Sequence, residues 1–231
     1  PIRRVNILVG GETVLEFGIE LADDTPDWWA FMDLNPFQGK PITIRVTELP
    51  ESSSALDSIH QSDQIKGYAD LYRGPLRPQF HFSSRRGWLN DPHVVFYDGE
   101  YHLFYQHNPY GWSWGNGHGG HAVSTDLLHW RELPIALYPE VGYIMNSASV
   151  VVDWGNTAGS RSGDEKPLVA MFTHSALTIE NNRIVGKSPK NEGTFTQNLA
   201  FSNDRGRTWT KFSKNPVIPH LVNRNRDPRV F

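Results

Sequence analysis

The chain has 231 residues, 38% hydrophobic and 12% aromatic, with eight Trp and a formal net charge of -3. That charge lacks the clustered Lys and Arg of a nucleic-acid footprint, so nucleic acid is not expected as a partner. The absence of Cys excludes disulfides, thiolate metal sites and a Cys nucleophile, and no apolar run approaches the roughly 20 residues of a membrane span.

In chain order, the first part reads as short strands. Val5 to Val9 ends at Gly10-Gly11, Thr13 to Leu21 alternates in part, Trp28 to Leu34 is aromatic, and Pro41 to Val46 alternates cleanly. Gly, Pro and Asp clusters separate these runs, which is an all-β pattern. Glu51 to Asp63 is polar and reads as a short helix or a loop. Residues 1–74 are therefore expected to form a small β-sandwich-like accessory module. Gly74-Pro75-Leu76-Arg77-Pro78 forbids a regular element and reads as the linker.

From Phe80 the strands become more aromatic: Val94 to Tyr97, Tyr101 to Tyr105, Ala148 to Val152, Leu168 to Phe172, and Leu199 to Ser202. Asp98-Gly99 is a hairpin-turn signal. A weak repeat relates Ala122-Val123-Ser124-Thr125-Asp126 with Trp130 to Ala200-Phe201-Ser202-Asn203-Asp204 with Trp209. In the second copy Asp204 can accept turn amides, Gly206 can take positive φ, and Trp209 can cover the turn. Repeated aromatic hairpins of this kind mark a β-propeller. Residues 75–231 are expected to hold about two blades and the first strand of a third.

Two stretches also repeat: Asn90-Asp91-Pro92-His93-Val94 and Arg226-Asp227-Pro228-Arg229-Val230. Each sets a carboxylate before Pro and then opens an apolar run. Pro should push each Asp toward an extended backbone. Inner strands of a propeller line one axis, so Asp91 and Asp227 are expected to converge. Glycosidic cleavage uses a carboxylate at the anomeric carbon and an acid at the leaving oxygen. An isolated Asn-Asp-Pro is usually only a turn; its recurrence, with amides and indoles nearby, favours a sugar site. Trp88 and Trp114, in Gly-rich loops, are read as pocket walls, whereas Trp130 and Trp209 are read as turn cover. His118-Gly119-Gly120-His121 lacks the Glu and the helix of a zincin, so no metal site is expected.

From about Arg77 to Phe231 the chain resembles glycoside hydrolase family 32, the invertase, levanase and inulinase group. The resemblance rests on ordered motifs: Pro78-Gln79-Phe80-His81-Phe82, Trp88-Leu89-Asn90-Asp91-Pro92, Phe104-Tyr105-Gln106-His107-Asn108-Pro109, Trp114-Gly115-Asn116, Gly120-His121-Ala122-Val123-Ser124, Ser147 to Asp153, and Arg226-Asp227-Pro228. It implies a five-bladed propeller and retaining cleavage of β-fructofuranosides such as levan, inulin or sucrose, without a cofactor. It places Asp91 at the nucleophile, Asp227 at the transition-state stabiliser, and Asn90, Gln106, Trp114, Ser149 and Arg226 at substrate-binding positions. A secreted or periplasmic location is expected, with any export signal outside these residues.

The sequence departs from the family at His93-Val94 after Asp91-Pro92, at Gly117 to His121, and at Asn146, where an aromatic is usual. The family's acid/base Glu follows Arg-Asp-Pro in a Glu-Cys-Pro type motif, and these residues end before it. Glu192 precedes Arg-Asp-Pro and nothing in the sequence casts it as a substitute. The 231 residues alone are thus expected to be nearly inactive, with the remaining C-terminal part of the same protein as a natural partner. Two alternatives stand beside the hydrolase. One is a non-catalytic carbohydrate-binding protein, with Trp28 and Trp29 as sugar platforms. The other is a fructosyltransferase.

Overall fold

The computed structural model describes residues 1–185, 195–222 and 225–231; Glu192 lies outside them. The fold is all-β, and no α-helix occurs among the described residues. Strands β1 (Ile2–Val9), β2 (Glu12–Glu20) and β3 (Ile42–Val46) form one sheet in the order β2-β1-β3. The turn at Gly10-Gly11 uses positive φ at both glycines, as a tight hairpin requires.

Residues 1–74 form this one sheet and no second sheet of their own. The apolar face, Val5, Ile7, Leu15 and Phe17, is instead covered by Tyr110, Tyr138, Ala30 and Met32. Phe17 stacks on Tyr110 with ring centroids 4.0 Å apart. The Trp28 to Leu34 run is therefore not a strand but a lid laid over the sheet. Residues 51–63 carry only a 3-10 turn, Ala55–Ser58.

Eight further strands make two four-stranded sheets. The first, in the order β4-β5-β6-β7, holds β4 (Trp88–Tyr97), β5 (Glu100–Asn108), β6 (His118–Ser124) and β7 (Arg131–Glu132). The second begins with β8 (Tyr143–Val152) and β9 (Leu168–Ala176). After the small hairpin β10 (Thr178–Glu180) and β11 (Arg183–Val185), it is completed by β12 (Thr196–Ser202) and β13 (Thr210–Lys211), in the order β13-β12-β9-β8. All pairings are antiparallel between chain neighbours within a sheet, the connectivity of propeller blades.

The inner strands β4 and β8 face each other, joined by a hydrogen bond from His93 Nε2 to Val150 O at 2.7 Å. Between the blades lies the main core: Tyr97, Phe104, Leu137, Met145, Val150, Leu168, Ala170, Phe172 and Ala200. Full burial of each large side chain contributes about 1.5–3 kcal/mol. The repeated turns are built alike. Ser124 and Ser202 donate to Asp126 and Asp204, and Trp130 and Trp209 each cap the turn through Nε1, on Leu127 O and Gly206 O at 3.0 Å.

The expected inner strand at Arg229 is not formed. Residues 225–231 have no strand assignment, because no described strand pairs with them. The N-terminal sheet is joined to the blades by a reciprocal pair of bonds: Gly18 N–H to Asn116 Oδ1 at 2.8 Å, and Asn116 Nδ2 to Gly18 O at 2.7 Å.

Candidate active site

Both inner strands are interrupted by a bulge at the same end. In β4 the register shifts between Asn90 and His93, leaving Asp91-Pro92 out of the ladder. Pro has no N–H to donate, so the ladder loses little there. In β8 the shift falls between Met145 and Ala148 and frees Asn146-Ser147. Bulges bend a strand and re-aim its side chains.

Asp91 has φ of 47° and Asp227 has φ of 62°. The extended backbone expected before each Pro is therefore corrected: both residues take the left-handed side. Asp tolerates this region better than most residues, because its short side chain can bond locally. At Asp91 the bulge requires a conformation that the Pro rule alone would not give. Such conformations persist only where the surroundings enforce them.

The Ser147 hydroxyl donates to Asp91 Oδ2. On the facing strand, Thr173 lies between His174 and Phe172, the partners of Met145 and Ala148, and so stands opposite the bulge. Thr173 Oγ1 accepts the Asp227 N–H at 3.0 Å and donates to Gln197 Oε1 at 2.7 Å. Gln197 Nε2 donates in turn to Asn225 O. Asp91 and Asp227 thus flank one bulge of β8, each held by a hydroxyl. Both aspartates are exposed to solvent.

Asn90 and Gln106 are paired across β4 and β5. Gln106 is buried and donates to Met145 O at 3.1 Å, while Asn90 Oδ1 is buried with no partner. That leaves an acceptor beside Asp91 for an incoming hydroxyl. Arg226 Nε lies 3.2 Å from Asp227 Oδ2; both groups are partly exposed, so the pair adds little stability. Ser149 Oγ accepts the Val230 N–H at 3.2 Å.

Trp114 packs on Ile144, Leu177 and Ile184. Trp88 bonds Gly111 O through its amide and lines a cleft with Trp28 and Trp112. Sequence reading passed over Ser147 and Thr173. The signal for Ser147 was its place at the head of the Ser147 to Asp153 motif.

His118 and His121 serve the core. His118 donates from Nδ1 to Asn116 O, and burial pushes its ring down to about 3. His121 Nε2 lies 3.1 Å from His102 Nδ1, and burial, reinforced by His102, also lowers it to about 3. Among the described residues no group of three or more His, Asp or Glu side chains could hold a metal ion.

A family model described as the glycosyl hydrolases family 32 N-terminal domain matches residues 81–231. The levanase of Bacillus subtilis strain 168 is 49% identical over 165 residues, covering 71% of this chain and 22% of that protein. An extracellular exo-inulinase of Aspergillus awamori is 42% identical over 181 residues, covering 71% of this chain and 33% of that protein. The crystal structure of an exo-inulinase from Aspergillus awamori superposes with a TM-score of 0.58 at 38% identity, over 69% of this chain and 33% of that one. A β-fructofuranosidase from Schwanniomyces occidentalis, complexed with fructosyl-erythritol, gives 0.57 at 38% identity, over 67% and 29%. The chain thus spans 22% to 33% of the length of these relatives. Its two blades are the N-terminal part of a five-bladed β-propeller, and the chain belongs to glycosyl hydrolase family 32.

Proposed function

We propose that these residues form part of a retaining glycosidase that cleaves β-fructofuranosidic bonds in levan, inulin or sucrose-type substrates. The observation that carries the reading is the convergence of Asp91 and Asp227 on one bulge of β8. Relatives named levanase, extracellular exo-inulinase and β-fructofuranosidase support the substrate class and a secreted location. Catalysis belongs in this reading to residues 75–231, with residues 1–74 as an accessory module.

In the reaction, an Asp91 oxygen attacks the anomeric carbon of the fructosyl unit. The bond to the leaving oxygen breaks, that oxygen takes a proton from an acid, and a fructosyl ester remains on Asp91. Water then cleaves the ester, giving up a proton to the same acid group. Retaining enzymes place nucleophile and acid about 5–5.5 Å apart. Asp227 and Arg226 bind fructose hydroxyls and hold charge at the transition state. Asn90, through its unpaired Oδ1, and Gln106 orient the sugar. Trp88, Trp114 and Ser149 complete the substrate-binding set. We assign the acid to no residue of this chain. General acid catalysis supplies about 10²–10⁴-fold, so the 231 residues alone should release fructose slowly.

The test is fructose release from sucrose, levan and inulin by the enzyme that contains these residues, with Asp91→Ala beside it. Release should be abolished in the variant. Binding without release in the unsubstituted enzyme would favour a carbohydrate-binding protein. Oligofructosides formed in place of free fructose would favour a transferase. Brisk release by the purified 231-residue chain would refute the absent acid.

A further inference from the structure

Trp112 is 61% exposed, on the loop between β5 and β6. Trp28 reaches across from the N-terminal module and lies against it, ring centroids 4.5 Å apart and planes 55° apart. Both indoles line a cleft of about 630 Å³, walled by residues 74–78 and 83–89 and by Gly111, to which Trp28 is the contribution of the N-terminal sheet's cover. Trp88 lines the same cleft, three positions before Asp91 on β4.

The polar groups of the cleft are unequal. Arg77 is spent on its own wall, with Nη1 on Ser83 Oγ at 2.7 Å and on Ser84 O at 2.8 Å. Arg85 is paired with Glu132 at 3.3 Å. Arg86 keeps a buried Nε–H without a partner. The cleft is lined by no carboxylate, so nothing in it invites a cation. Indole faces match the apolar C–H faces of sugar rings, and a buried unpaired donor needs an acceptor such as a ring hydroxyl.

We propose that this cleft is a carbohydrate subsite for the chain of a neutral oligosaccharide whose terminal unit sits at Asp91. It rests on the fructan reading above and extends it. Trp112 and Trp28 give the stacking surface, the Arg86 side chain gives a cationic wall, and Trp88 stands on the strand that carries Asp91. The N-terminal module would then take part in choosing polymers over short sugars.

Calorimetric titration of the 231-residue chain carrying Asp91→Ala, which blocks turnover, tests the subsite. The probes are fructose and the oligosaccharides of inulin and of levan. Adding Trp112→Ala should weaken oligosaccharide binding by about tenfold and leave fructose binding unchanged; Trp112→Phe should recover part of the loss. Trp112 is exposed, so its loss should leave the melting temperature in place; if Trp28→Ala unfolds the chain, Trp112 alone decides. Equal oligosaccharide affinity with and without Trp112 overturns the subsite. So does binding confined to polygalacturonate and abolished by salt, which would mark Arg86 as a simple anion contact. Trp112-dependent oligosaccharide binding, combined with no fructose release by the enzyme that contains these residues, would sink the hydrolase reading and keep the subsite.

Discussion

Ser147 donates its hydroxyl hydrogen to Asp91 across the gap between the inner strands of the two blades. The bond fixes a carboxylate that stands on a bulge with positive φ, where the backbone alone gives it little support. A hydrogen bond to a charged group contributes about 1.5–3 kcal/mol. Ser147→Ala should therefore lower kcat/KM for sucrose by about 10–100-fold, while Ser147→Thr should keep much of the activity. Steady-state kinetics on the enzyme that contains these residues decides, and an unchanged kcat/KM in the alanine variant would remove Ser147 from the site.

Thr173 performs the matching service for Asp227. Its hydroxyl is fully buried, accepts the Asp227 N–H, and donates to Gln197. Thr173→Val keeps the shape and removes the hydroxyl, leaving an amide and an amide oxygen without partners. The Gln197 oxygen belongs to a buried residue, and an unsatisfied buried group costs about 1–3 kcal/mol. The Asp227 amide should exchange faster with solvent, and the urea midpoint should fall. Equal exchange rates in the variant and the parent would show that the segment from Asn225 is held by something else.

Where the signal is local, the sequence carries it. The Ser202 to Trp209 turn is legible through Asp204, Gly206 and Trp209, because its hydrogen bonds join residues at most four positions apart. Strand β6 was not readable. Its two glycines break every strand propensity, and its fit depends on the distant Tyr105 ring and Leu137. The aromatic run from Trp28 has the composition of a strand, yet it lies as irregular backbone over the apolar face of β1 and β2. At the site, Asp91 and Asp227 could be found from their repeat, but not their positive φ, which depends on a bulge set by pairing with β5 and on a clamp from β9 and β12. Ser147 could not be assigned a partner, because its reach to Asp91 depends on a β8 bulge that composition does not reveal.

Gly117 marks the closest approach between the strands near the site. A Cβ there would lie 1.7 Å from the Met145 carbonyl oxygen, a backbone atom that cannot swing aside. That contact is fixed by the bond from Met145 N to Gly117 O at 2.8 Å. Gly117→Ala should therefore destabilise the fold by about 3 kcal/mol, at the upper end of overpacking costs. Gly74→Ala meets nothing within 4 Å and should change stability by less than about 0.5 kcal/mol. Thermal melts of the two variants, run side by side, should separate clearly; similar melting temperatures would mean that the strands can part at no cost.

Acid should unfold the protein through its buried histidines. Burial pushes His118 and His121 down to about 3; it lowers His174 to about 4 against the opposing charge of Glu140, 2.8 Å away. In the unfolded chain each would take a proton near pH 6.5. Between pH 6.5 and about 4 the unfolded state therefore binds more protons than the folded one, and stability falls as the pH falls. Each histidine contributes a slope of about 1.4 kcal/mol per pH unit across that window and none above it. Urea midpoints should be level from pH 8 to 7 and decline steadily from pH 6 to 4. His118→Asn, which keeps a donor for Asn116 O but cannot titrate, should decline less steeply. A flat midpoint from pH 7 to 5 would mean that these rings are already reached by water or protons in the folded state.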